Sequence, residues 1–456
     1  MQNAVSKRTA LIVVATGSFL TPFMGSSINV ALPSIGKALA MDAVRLAWVA
    51  MAYSLASAMF LVPFGRAGDI HGRKRIFLAG VIVDLVFSTS CAFAPSGTAL
   101  IVFRAFQGLG GAMLFGTGMA LLTSVFPPNE RGRALGINVA AVYLGLSLGP
   151  VLGGIITQNL GWRAVFLSNV PLCLFIIVFT LKNLRGEWAE CAGEPFDWTG
   201  ALVYGISLAA FIYGFSHVTE RVGPTLLTIG LAGLVAFAVV EMRVRYPVLE
   251  IRLFRRSRVF ALSNLAALIN YAATAAIGFL LSLYLQYIKA LTPQAAGFVL
   301  IAQPAMQALF SPLAGRLSDR IEPRIVASTG MALNVIGLIL LTLLNATTAL
   351  PFIVGSLLFL GLGFALFSSP NTNAIMGSVE RRFYGVASAT QATMRLVGQM
   401  FSMGVVMLII NLILGPVQIA PEYYPLFLRA AHTAFVTFGI LCFGGVFASL
   451  ARGKMR

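Results

Sequence analysis

Fourteen stretches of this chain run for about 20 residues or more with almost no charge, one after another from residue 9 to residue 451. They cover residues 9–32, 46–65, 75–94, 98–124, 133–158, 163–182, 198–217, 224–242, 259–287, 294–315, 325–345, 350–376, 384–414 and 430–451. No other feature narrows the possible folds as much. Hydrocarbon offers a backbone N–H or C=O no water to bond, so a crossing segment of this length must bond internally, as an α-helix. The polar stretches between the spans are too short for a soluble domain. Composition points the same way, with 58% hydrophobic and only 10% charged residues, against roughly a quarter charged in a soluble protein. The expected fold class is an all-α polytopic membrane protein. The first span is too long for the apolar core of a cleaved signal peptide and is read as a retained helix.

A net charge of +17 would suit nucleic acid if the charges formed one patch. They alternate with the spans instead. With the N-terminus placed in the cytoplasm, 24 Lys and Arg fall on cytoplasmic segments and six on the other side: Lys37, Arg45, Arg163, Arg221, Lys289 and Arg429. That asymmetry follows the positive-inside rule and puts both termini in the cytoplasm of a cell membrane. The basic balance is a topology signal, and no nucleic-acid partner is expected. Cys91, Cys173, Cys191 and Cys442 have no metal-ligand spacing and read as small packing residues.

Between the second and third spans lies Gly65-Arg66-Ala67-Gly68-Asp69-Ile70-His71-Gly72-Arg73-Lys74-Arg75, read as a tight basic turn. A related string, Gly315-Arg316-Leu317-Ser318-Asp319-Arg320, follows 250 positions later. The same loop at equivalent places implies two related halves that move against each other. The offset exceeds six helices with short loops, ~190 residues, and the surplus fits two extra spans between the halves. The expected organisation is an N-terminal six-helix bundle over 1–182, a linker with two extra helices over 183–258, and a C-terminal six-helix bundle over 259–456. Within the linker, Glu187, Glu190, Glu194 and Asp197 make residues 182–197 the most acidic stretch. Residues 243–258 are amphipathic and basic, which suits a helix on the inner membrane surface or an ordinary positive-inside loop.

Ionisable side chains at mid-membrane are costly and usually functional. Asp84, Arg104 and Arg395 qualify. The third and fourth spans share a short loop and run antiparallel, and Asp84 and Arg104 lie ~15 and ~10 Å from the same end by helical rise. An Asp84–Arg104 pair is therefore expected, either titrating as substrate enters or static. Arg395 has no acid in its own half placed to neutralise it; it can bind an anionic substrate, rest against carbonyls or act as a mobile counter-charge. Asp69 stands in an otherwise basic loop, where a carboxylate can cap a helix or pair with Arg in one conformation only, and it reads as a gate residue with Arg73 beside it. Asp319 would do the mirrored job, and His71 reads as a solvated loop residue.

The chain resembles the major facilitator superfamily, and within it the fourteen-spanner drug:proton antiporters. The resemblance covers nearly the whole length. The Gly65–Arg75 string is similar to that superfamily's loop between helices 2 and 3. Arg104-Ala105-Phe106-Gln107-Gly108 is similar to its helix-4 motif, and Gly145, Gly149, Pro150, Gly153 and Gly154 to its antiporter motif. Trp162-Arg163, Asn169-Val170-Pro171, Phe196-Asp197-Trp198, Tyr284-Leu285-Gln286, Pro304, Pro370, Arg395 and Gly398 resemble the fourteen-spanner branch. The resemblance implies that Arg104 modulates a proton-carrying acid and that Gly149 and Pro150 govern sealing between the halves. It also implies a central cavity built by spans 1, 2, 4 and 5 with 9, 10, 12 and 13. The polar candidates for binding substrate there are Asn29, Gln107, Tyr143, Asn270, Gln303, Gln307 and Gln391, with Asn371 and Gln399 beside them. Phe23, Phe115, Phe279 and Phe367 supply apolar lining. One position departs from the branch: Met24 stands where it usually carries an Asp ahead of Asn29-Val30-Ala31-Leu32-Pro33.

Enzyme signatures are absent: no Walker loop, no metal-spaced His or Cys, no nucleophile elbow. No cofactor, metal or catalytic residue is expected. The function expected is multidrug-type efflux: proton-coupled export of amphipathic small molecules by alternating access, from a monomer in a lipid bilayer. The alternatives are a narrower carrier of an organic anion or lipid-like metabolite, and a non-transporting membrane sensor or scaffold.

Overall fold

The computed structural model describes residues 2–218, 221–244, 247–249, 251–380, 384–415 and 417–453, without the side chains of 2–6, 128, 129, 132, 133, 319, 384 and 385. Fourteen helical crossings are long and apolar enough to span a membrane. The first five are single helices: α1 (Gln2–Ala38), α2 (Ala43–His71), α3 (Arg73–Ala92), α4 (Gly97–Val125) and α5 (Pro128–Leu160). The sixth is split into α6 (Trp162–Leu167) and α7 (Asn169–Asn183). Two more follow, α8 (Trp198–Ser216) and α9 (Val222–Glu241), then a short α10 (Arg252–Arg256) outside the spans. The ninth joins α11 (Arg258–Thr274) and α12 (Ile277–Leu283) to a π-helical turn, Tyr284–Ile288. The tenth joins α13 (Pro293–Leu300) and α14 (Ala302–Arg320). The last four are α15 (Pro323–Leu341), α16 (Leu350–Gly377), α17 (Tyr384–Ile413) and α18 (Tyr424–Leu450).

Polar residues in the joints set the helix starts. Asp42, Ser96, Asp197, Ser257 and Thr292 each accept a hydrogen bond from the backbone N–H three residues on, satisfying a donor that the helix leaves open. The Gly65–Arg75 string differs from the expected turn. α2 stays helical through His71, α3 begins at Arg73, and Gly72 alone makes the corner with φ +114°. That region suits a residue without Cβ. A Cβ at Gly72 would also meet the Glu187 carboxylate at 2.7 Å.

Within the first half α1 packs on α5, and α4 on both α2 and α3. In the second, α16 packs on α14 and α15, and α11 on α17 and α18. The α8–α9 hairpin rests through α8 on α2 and α17, so it borders both halves; Tyr204 donates to the Ala58 carbonyl at 3.1 Å. Within the 243–258 stretch, α10 packs on protein: its Leu253 and Phe254 join Phe260, Ile375 and Ala387 in one apolar cluster. Burying those side chains removes their apolar area from water, which fixes the stretch against the second half.

The halves meet along α5 with α13 and α14, α1 with α12, and α2 with α17. Hydrogen bonds between the halves gather at the end away from the N-terminus, the less basic end. Ser282 donates to the Asn29 carbonyl at 2.5 Å, Gln286 to Val30 at 2.8 Å, and the Gln294 N–H to Gln158 at 3.3 Å. The Ala43 N–H reaches the Val417 carbonyl there at 3.3 Å.

Candidate functional site

The glycine pattern of α5 is a packing device with two faces. Gly145, Gly149 and Gly153, four residues apart, stack under α1, where Ser27 donates to the Gly149 carbonyl at 2.9 Å. Gly154 points the other way, across the seam between the halves. A Cβ there would lie 3.0 Å from Gln294 Cα of α13. Pro150 sits inside the helix, where it removes one helical hydrogen bond and allows a bend.

Asp84 and Arg104 are both buried, 3% and 2% exposed, but they do not form the direct ion pair expected. Arg104 donates to the Val49 carbonyl at 3.1 Å and to Gln107 at 2.5 Å, with its guanidinium 4.5 Å from the centre of the Tyr53 ring. Gln107 donates to Ser88 at 2.6 Å, and Asn169 bridges Ser88 and Asp84 at 2.8 and 2.6 Å. The charges are thus joined through neutral side chains from α3, α4 and α7. The reason lies in spacing: Gln107 is three residues from Arg104 on the same face of α4, closer than any carboxylate, while Asp84 faces Asn169 and Cys173. Gln107 is fully buried with both ends of its amide used, so it does not face the seam as a substrate residue would.

The other substrate-binding candidates divide similarly. Asn270 is buried, accepting from Asn334 at 2.9 Å inside the second half. Gln307 is 6% exposed on α14. Asn29, Tyr143, Gln303 and Gln391 are half-buried, and Gln391 donates to Thr372 at 2.6 Å. Phe23, Phe279 and Phe367 are buried among helices. Phe115 does stand at the seam, its ring centre 5.4 Å from the Arg395 guanidinium across the two halves. Tyr271 lies near Arg395, with Tyr143 close by.

At the basic end, Asp69 pairs with Arg73 at 2.7 Å. Sequence reasoning missed what lies over that pair. The acidic segment after α7 runs back along the loop as a strap. Glu187 accepts from the Lys74 N–H at 2.8 Å and lies 3.7 Å from Arg75; Glu190 pairs with Arg73 at 2.7 Å; Glu194 pairs with Arg66. Backbone bonds Arg73 N–H to Trp188 O and Cys191 N–H to Asp69 O, 2.8 and 3.0 Å, lay the strap down. The one available signal was complementary charge in reverse order, Glu187, Glu190 and Glu194 against Arg75, Arg73 and Arg66. The Asp319 side chain lies outside the described residues. Among the described residues no cluster of three or more His, Cys, Asp or Glu side chains could hold a metal ion.

A profile of the Major Facilitator Superfamily matches residues 14–240 and 264–454. The chain is 30% identical over 392 residues to the riboflavin transporter RibZ of Clostridioides difficile, covering 85% of each protein. It is 31% identical over 397 residues to the multidrug resistance protein Stp of Mycobacterium tuberculosis, covering 85% of this chain and 73% of Stp. Among solved structures, it is similar to an inward-facing bacterial homolog of the human lysosomal transporter Spinster, with TM-score 0.66, 16% identity, and 98% and 97% of the two chains covered.

Proposed function

The chain belongs to the Major Facilitator Superfamily, and on that premise we propose that it exports amphipathic small molecules by alternating access, driven by the proton gradient. It works as a monomer in the cell membrane, both termini in the cytoplasm, since one chain carries both halves and the basic end follows the positive-inside rule. The observation that carries the reading is the placement of the bonds between the halves. Ser282–Asn29 and Gln286–Val30 gather them at the less basic end. The ion pairs described at the basic end stay within the first half and its strap. That arrangement suits one state of a rocking cycle, closed outside, with Asp69, Arg73, Gly149, Pro150 and Asp319 as gate residues. The relatives named for riboflavin transport and multidrug resistance favour a small organic cargo.

Coupling is assigned to Asp84 with Arg104, because Met24 leaves the first span without a carboxylate and Asp84 is the acid deepest in the first half. Purified protein in proteoliposomes with an imposed pH gradient and a panel of charged dyes tests the reading. Dye movement should follow the gradient, need no nucleotide and lose its pH dependence in Asp84→Asn. Movement blind to the gradient would remove the coupling, and nucleotide-dependent movement would remove secondary transport.

A further inference from the structure

The membrane interior of this protein holds two connected charges and one left over. Asp84 and Arg104 share a single hydrogen-bonded network in the first half. Arg395 stands apart from it. The second half has no Asp or Glu between Glu250 and Asp319, between Glu322 and Glu380, or between Glu380 and Glu422. No carboxylate at that depth is available to it.

The treatment of the buried arginines makes the contrast informative. Arg452, 1% exposed, donates to Ser449 O at 2.9 Å, Asn371 Oδ1 at 2.8 Å, Ser449 Oγ at 2.7 Å and Ser263 Oγ at 3.1 Å. Arg104 is held by a carbonyl and an amide. The buried arginines are thus met by acceptors, neutral ones for Arg104 and Arg452 and the carboxylates of Asp69 and Glu190 for Arg73. Arg395, half-buried, has a buried Nε with no partner; its guanidinium lies over the face of Phe115, with Tyr271 near it.

The position also fits a ligand. Phe115, Tyr143, Tyr271 and Arg395 come from α4, α5, α11 and α17 in both halves. Each lies within about one turn, ~6 Å, of the middle of its span. Phe364 packs edge-on against Tyr271 at 5.3 Å. The cluster is one fixed cation among four aromatic rings at the seam.

Resting on the export reading, we propose that Arg395 anchors the cargo, and that the cargo is an organic anion with a flat aromatic body. Its carboxylate or equivalent oxyanion pairs with the guanidinium, assisted by the Tyr271 hydroxyl, and its rings take the place of the Phe115 face. A guanidinium fork matches such a group in geometry and charge. Because Phe115 and Arg395 belong to different halves, the anion breaks a contact across the seam as it binds, which ties occupancy to rocking.

The test uses the full-length protein in proteoliposomes with three probes of related shape: fluorescein, its neutral methyl ester ether and cationic rhodamine 6G. Wild type should carry fluorescein in preference to the other two. Arg395→Gln should weaken fluorescein binding about tenfold or more and leave the neutral probe within about twofold. Arg395→Lys, which keeps the charge but not the fork, should fall between and shows that the site still folds. Equal losses for the anionic and neutral probes in Arg395→Gln would overturn the proposal, as would a wild-type preference for rhodamine 6G, which leaves export itself standing. Transport of none of the three would defeat the export reading and this inference with it.

Discussion

Gln107 carries more of the first half than its polarity suggests. It accepts from Arg104 and donates to Ser88, and no water-exposed surface remains on it. Gln107→Leu keeps the volume roughly constant but leaves a buried guanidinium short of an acceptor and removes one of the two donors to Ser88. The expected loss is about 2–4 kcal/mol, since an orphaned buried charge costs more than the bond itself was worth. Thermal unfolding of the purified protein reads it, and an unchanged midpoint would show that the network does not hold these helices together. Asp84→Asn should be far milder for folding, because an amide can still accept from Asn169. The Arg104–Gln107 link was open to reading in the sequence, since a spacing of three puts both side chains on one helical face. Opposite charge makes Asp84 the more attractive partner on sequence alone. What one chain position cannot reveal is how far its helix is rotated, and that rotation turned Asp84 towards α7.

The strap between α7 and α8 acts through several weak contacts. Glu190 is 63% exposed and Glu194 35%, so each ion pair contributes little by itself, at most about 1 kcal/mol. Together with the backbone bonds to Asp69 and Arg73 they hold the segment over the one-residue corner at Gly72. Changing Glu187, Glu190 and Glu194 together to Gln should loosen the strap by about 1–3 kcal/mol. Trypsin cleavage after Arg185 would then speed up several-fold, and raised salt should move the wild type the same way by screening. Identical cleavage kinetics in variant and wild type would mean that the backbone contacts suffice. At this scale the spans were legible from sequence because hydropathy is a local property: all fourteen crossings fall where the apolar runs place them. The docking of residues 184–197 was not, because a loop's destination depends on where distant basic side chains are carried by α2 and α3. The same limit applied to residues 243–258, whose apolar side chains could be read but not the surface of Phe260, Ile375 and Ala387 that receives them.

For the molecule as a whole, if the halves rock as proposed, the seam between α5 and α13 is where they would have to part. At Gly154 the two backbones come close enough that only a residue without a side chain fits. Contact of this kind is all-or-none: on the proposed cycle it would be present when the less basic end is closed and would separate for that end to open. A Cys pair at Gln158 and Gln294, neighbours across the same seam where the Gln294 N–H donates to the Gln158 side chain at 3.3 Å, in a background with the four native cysteines changed to Ser, should cross-link readily on oxidation. The cross-link should stop transport, and reduction should restore it. Single substitutions separate locking from damage. Gly154→Val should disfavour the closed arrangement, because its branched side chain would push into Gln294, and thiol reagents should then reach Cys introduced at Asn29 more quickly from the less basic side. Gln294→Cys alone should transport as the parent does. If the oxidised pair still transported at the parent rate, the two halves would not need to part here. The seam would then be a fixed scaffold, and the moving surface would have to be sought where α17 meets α2 and α4, with Arg395 against Phe115 of α4.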